Sequence, residues 1–257
     1  MAGYLGKPEA SSKVLDAAIT VDGWTPRNFS GSFRGEVTLR EAVARSLNTV
    51  AVRVSEDVGR GRVIQSARRL GITAPLTPHP SIALGAGEVT PLELTAAYAV
   101  FANGGFAVEP YGVTEVRQGG EVVFRRPARA PRRVVEADAA AHMTEMLRAV
   151  IAWGTGKAAK IDRPAAGKSG TSQDFRDAWF VGFAGDLVVT VWVGNDDNTP
   201  TRRITGSSIP AAIWKDFMSA PPAAAVARPS PPRAQAPEAA RPVRERFDPT
   251  FIDRQTD

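Results

Sequence analysis

Residues 177–194, DAWFVGFAGDLVVTVWVG, constrain the fold more than any other part of the sequence. Two apolar runs, Ala178 to Phe183 and Leu187 to Val193, flank a turn at Gly185-Asp186. The pattern predicts a β-hairpin, and so an antiparallel sheet. That hairpin decides the meaning of the stretch before it, AAGKSGTS, residues 165–172. Gly167-Lys168-Ser169 has the ending of a phosphate loop. Such a loop needs G-x-x-x-x-G-K-[ST] at the opening of a helix. Asp162 stands where the first glycine belongs, and a hairpin follows. Gly154-Thr155-Gly156-Lys157 fails the same test. Nucleotide binding is disfavoured on both counts.

A strand bearing Lys-Ser-Gly-Thr suits a carboxylate instead. Lys168 supplies a fixed positive charge. Ser169 and Thr171 supply hydroxyls that can hold the carboxylate. Gly170 removes a side chain, so that a substrate backbone can lie against the strand. The Thr171 N–H can face a developing oxyanion. A glycine-containing turn with an exposed lysine is the plainer alternative for this tetrad taken alone.

The remaining elements are read from caps and periodicity. Residues 1–36 read as irregular, with one short strand at Ala18 to Val21. Thr38 and Glu41 form a capping box, followed by apolar residues at helical spacing from Leu39 to Val58. Gly59 and Gly61 end that helix. Ser46 and Asn48, which flank Leu47, interrupt it, because both bond readily to nearby backbone. Thr90-Pro91-Leu92-Glu93 opens a second helix that stops at Gly104-Gly105. A hairpin is predicted within 111–135 around Gly119-Gly120, a helix over 137–153, and a closing helix from Ile209 to Met218. From about Ser219 proline, alanine and arginine dominate, and the expectation is a disordered tail over 219–257.

Composition narrows the function. The chain has 257 residues, 43% of them hydrophobic, enough for a sizeable core. Its net charge is +5, but no arginine–lysine block is interleaved with aromatics, so nucleic-acid binding is disfavoured. There is no cysteine, which removes disulfides, thiolate metal sites and a cysteine nucleophile. The two histidines, His79 and His142, stand far apart. No secretory signal opens the sequence, and no run reaches the ~18–20 apolar residues that span a bilayer.

Ser46-Leu47-Asn48 is an S-x-N element lying some way before a K-[ST]-G element. Ser46 can relay a proton and Asn48 can hold a substrate amide. The two elements in this order belong to serine penicillin-recognising enzymes, which also use S-x-x-K. The flanking text agrees: GWTPRN, GEVTLREAVARSLNTVAVRV, SIALGAGEVTPLELTAAYAVFANGG, GTGKAA and AAGKSGTSQDFRDAWFVGF. Over roughly residues 18–218 the chain resembles the transpeptidase domain of class A, bifunctional penicillin-binding proteins. Leu47 stands where class A β-lactamases carry aspartate. The resemblance implies an α+β fold, an antiparallel sheet flanked by helices. It implies acyl transfer from D-Ala-D-Ala stem peptides of peptidoglycan, trapping by β-lactams, and neither metal nor cofactor. It implies catalytic roles for Ser46, Asn48, Lys168 and Thr171, and substrate binding by Ser169, Gly170 and Thr171. It places the full-length family at the periplasmic face of the inner membrane.

One motif of that family is missing. The six lysines are Lys7, Lys13, Lys157, Lys160, Lys168 and Lys215, and none follows a serine by three. Ser12-Lys13 has neighbouring residues on different helix faces. By resemblance the S-x-x-K serine, the first strands and a membrane anchor belong upstream of Met1. Residues 1–218 then read as a partial domain that lacks its nucleophile and is inactive alone, with unpaired sheet edges that favour marginal stability. The alternatives are a non-catalytic module that binds stem peptides and a truncated pseudogene product.

Overall fold

The computed structural model describes residues 9–220. In chain order its elements are β1 (Lys13–Asp16), β2 (Gly35–Thr38), α1 (Leu39–Arg45), α2 (Asn48–Val58), α3 (Arg60–Arg69) and α4 (Pro91–Ala102). There follow β3 (Glu115–Gln118), β4 (Glu121–Arg125), α5 (Ala137–Ala152), β5 (Ala166–Thr171), β6 (Asp177–Ala184), β7 (Leu187–Gly194) and α6 (Ile209–Ser219).

The predicted hairpin is β6–β7. Ala184 pairs with Leu187, and Gly185 closes the turn at φ 59°, a conformation natural to glycine. With β5 it makes a three-stranded antiparallel sheet of order β5-β6-β7. Alternation along β6 sends its side chains to two helical layers. Phe180 and Ala184 pack with Ala211, Trp214 and Met218 of α6. Phe183 packs with Ala166 and with Leu147 of α5, flanked by Tyr98 and Phe101 of α4. The fold is the expected α+β arrangement, a sheet buried on both faces by helices. On its outer side α6 leaves Ile209, Ile213 and Phe217 exposed.

Two further pairs stand apart from this sheet. β1 and β2 run antiparallel, with Val14 opposite Val37. These valines pack against Ala42, Leu47 and Val50 of the α1–α2 region. β3 and β4 form the hairpin expected around Gly119-Gly120.

The Thr90 cap matches the sequence, whereas at Thr38 only half of the expected box forms: the Thr38 hydroxyl accepts from the Glu41 N–H, and the Glu41 carboxylate accepts from Arg45. The Thr90 hydroxyl accepts from the Glu93 N–H, and the Glu93 carboxylate accepts in return from the Thr90 N–H. Hydrogen bonds from Thr73 and then from Thr90 hold the Glu93 carboxyl down to about 2. Thr90→Ala is expected to lower stability by about 1 kcal/mol, read as a shift in urea midpoint without a change in slope.

One expectation fails and another holds only in part. The first strand is Lys13–Asp16 and not Ala18–Val21, where Val21 makes a single bridge to Trp24. Here a charged residue points inward: Asp16 is fully buried and Leu15 is 48% exposed, inverting the pattern on which strand prediction relies. The helix ends at Gly59 as expected, but Gly61 stops nothing, since it lies inside a further helix. Gly59, at φ 94°, breaks the axis, and α3 restarts at Arg60. Arg60 braces that corner with ion pairs to Glu56 and Asp22. The disordered tail expected from Ser219 falls almost wholly in 221–257, outside the described residues; Ser219 itself ends α6.

Candidate active site

The interruption predicted at Ser46 and Asn48 is real and abrupt. α1 ends at Arg45, Ser46 takes a left-handed conformation (φ 55°, ψ 52°), and α2 begins at Asn48. A non-glycine residue costs roughly 1–2 kcal/mol in that region. The surrounding contacts hold it there. The Ser46 N–H donates to the Val43 carbonyl, the Leu47 N–H donates to the Ala42 carbonyl, and the Leu47 side chain is sunk in the core. The Ser46 hydroxyl is left facing the sheet.

It meets Lys168. The Lys168 ammonium on β5 donates to the Ser46 Oγ at 2.8 Å and to the Ser169 carbonyl at 2.8 Å. The two motifs, 122 residues apart in sequence, are thus joined by one hydrogen bond. Burial pushes the Lys168 amine down to about 8, because a charged ammonium is disfavoured away from water.

Side chains alternate along β5, so Ser169 faces away from Lys168. Its hydroxyl lies 2.8 Å from that of Thr155. Sequence reasoning gave Thr155 no role, noting its segment as a failed phosphate loop and, in GTGKAA, as part of the family resemblance. Its N–H donates to the Ala44 carbonyl, two residues before Ser46. Gly154 makes that approach possible, since a Cβ there would lie 2.2 Å from the Ala44 oxygen. Flanking glycines beside a hydroxyl were the available signal of a close backbone approach.

Thr171 ends β5. Its hydroxyl accepts from the Gly206 N–H at 3.1 Å. The Ser172 N–H donates to the Asp177 carbonyl, continuing the register in which Thr171 faces Ala178. Bonded and non-bonded pairs alternate in an antiparallel ladder, so the Thr171 and Ser169 N–H groups point away from β6. Among the described residues no strand pairs with that outer edge.

The glycines of β5 separate into two kinds. A Cβ on Gly167 would lie 2.7 Å from the Val181 carbonyl oxygen, so the fold itself demands glycine there. A Cβ on Gly170 would meet only the Trp179 Cβ at 3.5 Å, an ordinary contact. The packing of the protein gives no reason for glycine at 170.

Asn48 turns to the 22–34 loop, where its Nδ2 donates to the Arg27 carbonyl at 2.8 Å. The structure therefore brings Ser46, Lys168, Ser169 and Thr155 into one connected group, with Gly170 and Thr171 continuing along the strand. Gly167-Lys168-Ser169 lies inside a strand and opens no helix, which is the wrong geometry for a phosphate loop.

The family model for the penicillin binding protein transpeptidase domain matches residues 8–219. The chain belongs to the penicillin-binding protein transpeptidase family. Its class is A, as the resemblance of the flanking stretches implied and its relatives bear out. Penicillin-binding protein 1A of Aquifex aeolicus is 40% identical over 213 residues, covering 82% of this chain and 29% of that protein. The Neisseria meningitidis serogroup A protein of the same name is 36% identical over 225 residues, 81% of this chain and 28% of the relative. The chain thus spans less than a third of the length of these relatives. Among solved structures, penicillin-binding protein 1A from Haemophilus influenzae superposes with a TM-score of 0.74 at 28% identity, covering 86% of this chain and 41% of the other. Penicillin-binding protein PonA1 from Mycobacterium tuberculosis gives 0.76 at 26% identity, covering 82% and 63%. The family match takes in β1, about ten residues ahead of the span legible by resemblance. Among the described residues no helix is long and apolar enough to cross a membrane.

Proposed function

We propose that this chain supplies the substrate-binding wall and the proton-relay side of a peptidoglycan D,D-transpeptidase site. The bond from Lys168 Nζ to Ser46 Oγ carries this reading, because it joins a cation, a relay hydroxyl and an open strand edge. The substrate is the D-Ala-D-Ala end of a stem peptide. Its terminal carboxylate sits against Ser169 and Thr171 in the field of Lys168, while Asn48 holds the preceding amide. Gly170 leaves room for the peptide backbone. The outward N–H of Thr171 faces the carbonyl oxygen that becomes an oxyanion.

In the complete reaction a serine hydroxyl attacks the carbonyl between the two alanines. The C–N bond breaks and D-alanine leaves with a proton relayed through Ser46. An amine of a second stem then takes the acyl group. β-Lactams enter as mimics of the donor. These 257 residues hold no S-x-x-K, so the attacking serine is not among them. The same observation favours reversible binding by this chain alone, the behaviour of a non-catalytic stem-peptide module. The setting we assign is the periplasmic face of the inner membrane.

Calorimetric titration with an N-acyl-D-Ala-D-Ala acid tests this. Binding is expected, weakened about tenfold for the C-terminal amide, because the charge-assisted bonds to the carboxylate disappear. Fluorescent penicillin is expected to leave no covalent label on a denaturing gel. Equal affinity for acid and amide, or no binding of either, overturns the carboxylate site. A covalent label at the mass of this chain overturns the absence of the nucleophile.

A further inference from the structure

We infer that a buried latch of Asp16, Asn28 and Thr49 sets the orientation of the Asn48 amide, which makes these three positioning residues of the site. Their consequence for substrate rests on the function proposed above; the latch itself does not.

Asp16 lies on β1, and Thr49 is the second residue of α2; both are fully buried, and Asn28 is 4% exposed. The Asp16 carboxylate faces no cation in the hydrogen bonds that hold it. It accepts from the Arg34 N–H at 2.9 Å, from Asn28 Nδ2 at 2.8 Å and from the Thr49 hydroxyl. Asn28 spends its remaining capacity locally. Its Nδ2 also donates to the Ser32 carbonyl at 3.0 Å, and its Oδ1 accepts from the Thr49 N–H at 3.3 Å. The network fastens a loop that has little core of its own. Phe29 and Phe33 of that loop are largely exposed.

The geometry couples the latch to the site through adjacent residues. Asn28 of the loop bonds Thr49 of the helix. One residue back on each segment, the Arg27 carbonyl accepts from Asn48 Nδ2. Wherever the latch holds Asn28, it also holds the Arg27 oxygen. A carbonyl can only accept, so it selects the flip state of the Asn48 amide. One N–H is then spent on Arg27, while the second N–H and the Oδ1 stay available to a substrate amide. A buried carboxylate is a poor way to gain stability, since apolar packing of similar volume often does as well. Its service here is to leave one arrangement, because every alternative strands a buried polar group.

The test reads Asn48 directly in the full 257-residue chain. In the wild-type protein, the Asn48 side-chain proton bonded to Arg27 and the Thr49 N–H bonded to Asn28 should show matched protection from hydrogen exchange, since both open with the latch. A freely exchanging Asn48 amide beside a protected Thr49 N–H overturns the proposal with no variant needed. Thr49→Val keeps the volume and removes the hydroxyl; Thr49→Ser keeps the hydroxyl. In Thr49→Val the Asn48 side-chain protection should fall about tenfold or more, and so should affinity for N-acyl-D-Ala-D-Ala, while Thr49→Ser stays within about twofold of wild type. A folded Thr49→Val protein with unchanged Asn48 protection overturns it as well. If the wild-type chain binds no peptide, the proposed function fails, and the exchange data still decide the latch.

Discussion

Replacing Trp214 with alanine is expected to remove about 3–5 kcal/mol of stability, the largest loss available from one side chain here. Trp214 is fully buried on α6. Its ring meets Phe180 at 5.5 Å between centroids and 61° between planes, an edge-on contact. The indole covers Gly182, where a Cβ would lie 3.0 Å from the ring, and its N–H donates to the Gly182 carbonyl at 3.3 Å. Alanine would leave a void on the back of β6, with Phe180 and Met218 losing their neighbour. A void that rigid strands and a helix surround closes poorly, which puts the cost at the upper end of such substitutions. The consequence reaches the site because β6 carries β5, and β5 carries Lys168. Urea unfolding should show a lower midpoint, and amide exchange on β5 should rise with it. Trp214→Phe should recover much of the loss. An alanine variant within 1 kcal/mol of wild type, or one whose β5 exchange is unchanged, would show that α6 does not support the site strand.

The parts of this protein legible from sequence are those held by local rules. The β6–β7 hairpin was visible because its apolar runs and its glycine turn lie side by side. The Thr90–Glu93 cap was visible because two residues three positions apart complete it. The break at Ser46 was visible as two polar residues around a buried leucine. α3 was missed because its apolar face is thin, only Val63, Ile64 and Ala67 within RGRVIQSARR, because it follows directly on the helix-ending Gly59, and because its corner depends on Arg60 reaching Asp22 38 residues away. β1 was misplaced because Asp16 turns inward to satisfy Asn28 and Thr49, a reason that lies 12 and 33 residues off. The role of Thr155 was hidden for the same cause: its partners, Ala44 and Ser169, belong to two other segments. Lys168 and Ser46 were paired in advance only because two short texts recur together in one family. Neither spacing nor periodicity could have placed them 2.8 Å apart.

Lys168→Met should separate what this lysine does for binding from what it does for folding. Burial lowers its amine from an ordinary 10.5 to about 8. The folded chain therefore holds that proton less tightly than the unfolded chain. Below pH 8 both states are charged, and the full burial cost is present. Between pH 8 and 10.5 the folded state releases the proton while the unfolded state keeps it, so stability rises with pH across that window. The rise attributable to Lys168 is about 2–3 kcal/mol, allowing for residual contact with water. Methionine carries no such slope, so the difference between the two proteins should narrow or reverse toward neutral pH and widen in favour of wild type above pH 8. Binding moves the other way. The charge that holds a substrate carboxylate is present below about pH 8 and lost above it, so wild-type affinity for N-acyl-D-Ala-D-Ala should fall as stability climbs. The variant should bind at least about tenfold more weakly at neutral pH and show no such dependence. Urea midpoints and peptide titrations at matched pH read both effects. Parallel stability curves for the two proteins would mean that Lys168 is not desolvated. A pH-independent wild-type affinity would mean that its charge does not meet the carboxylate. The opposition between the two curves is the signature of a buried cation kept for a ligand, at a cost that the folded chain alone does not recover.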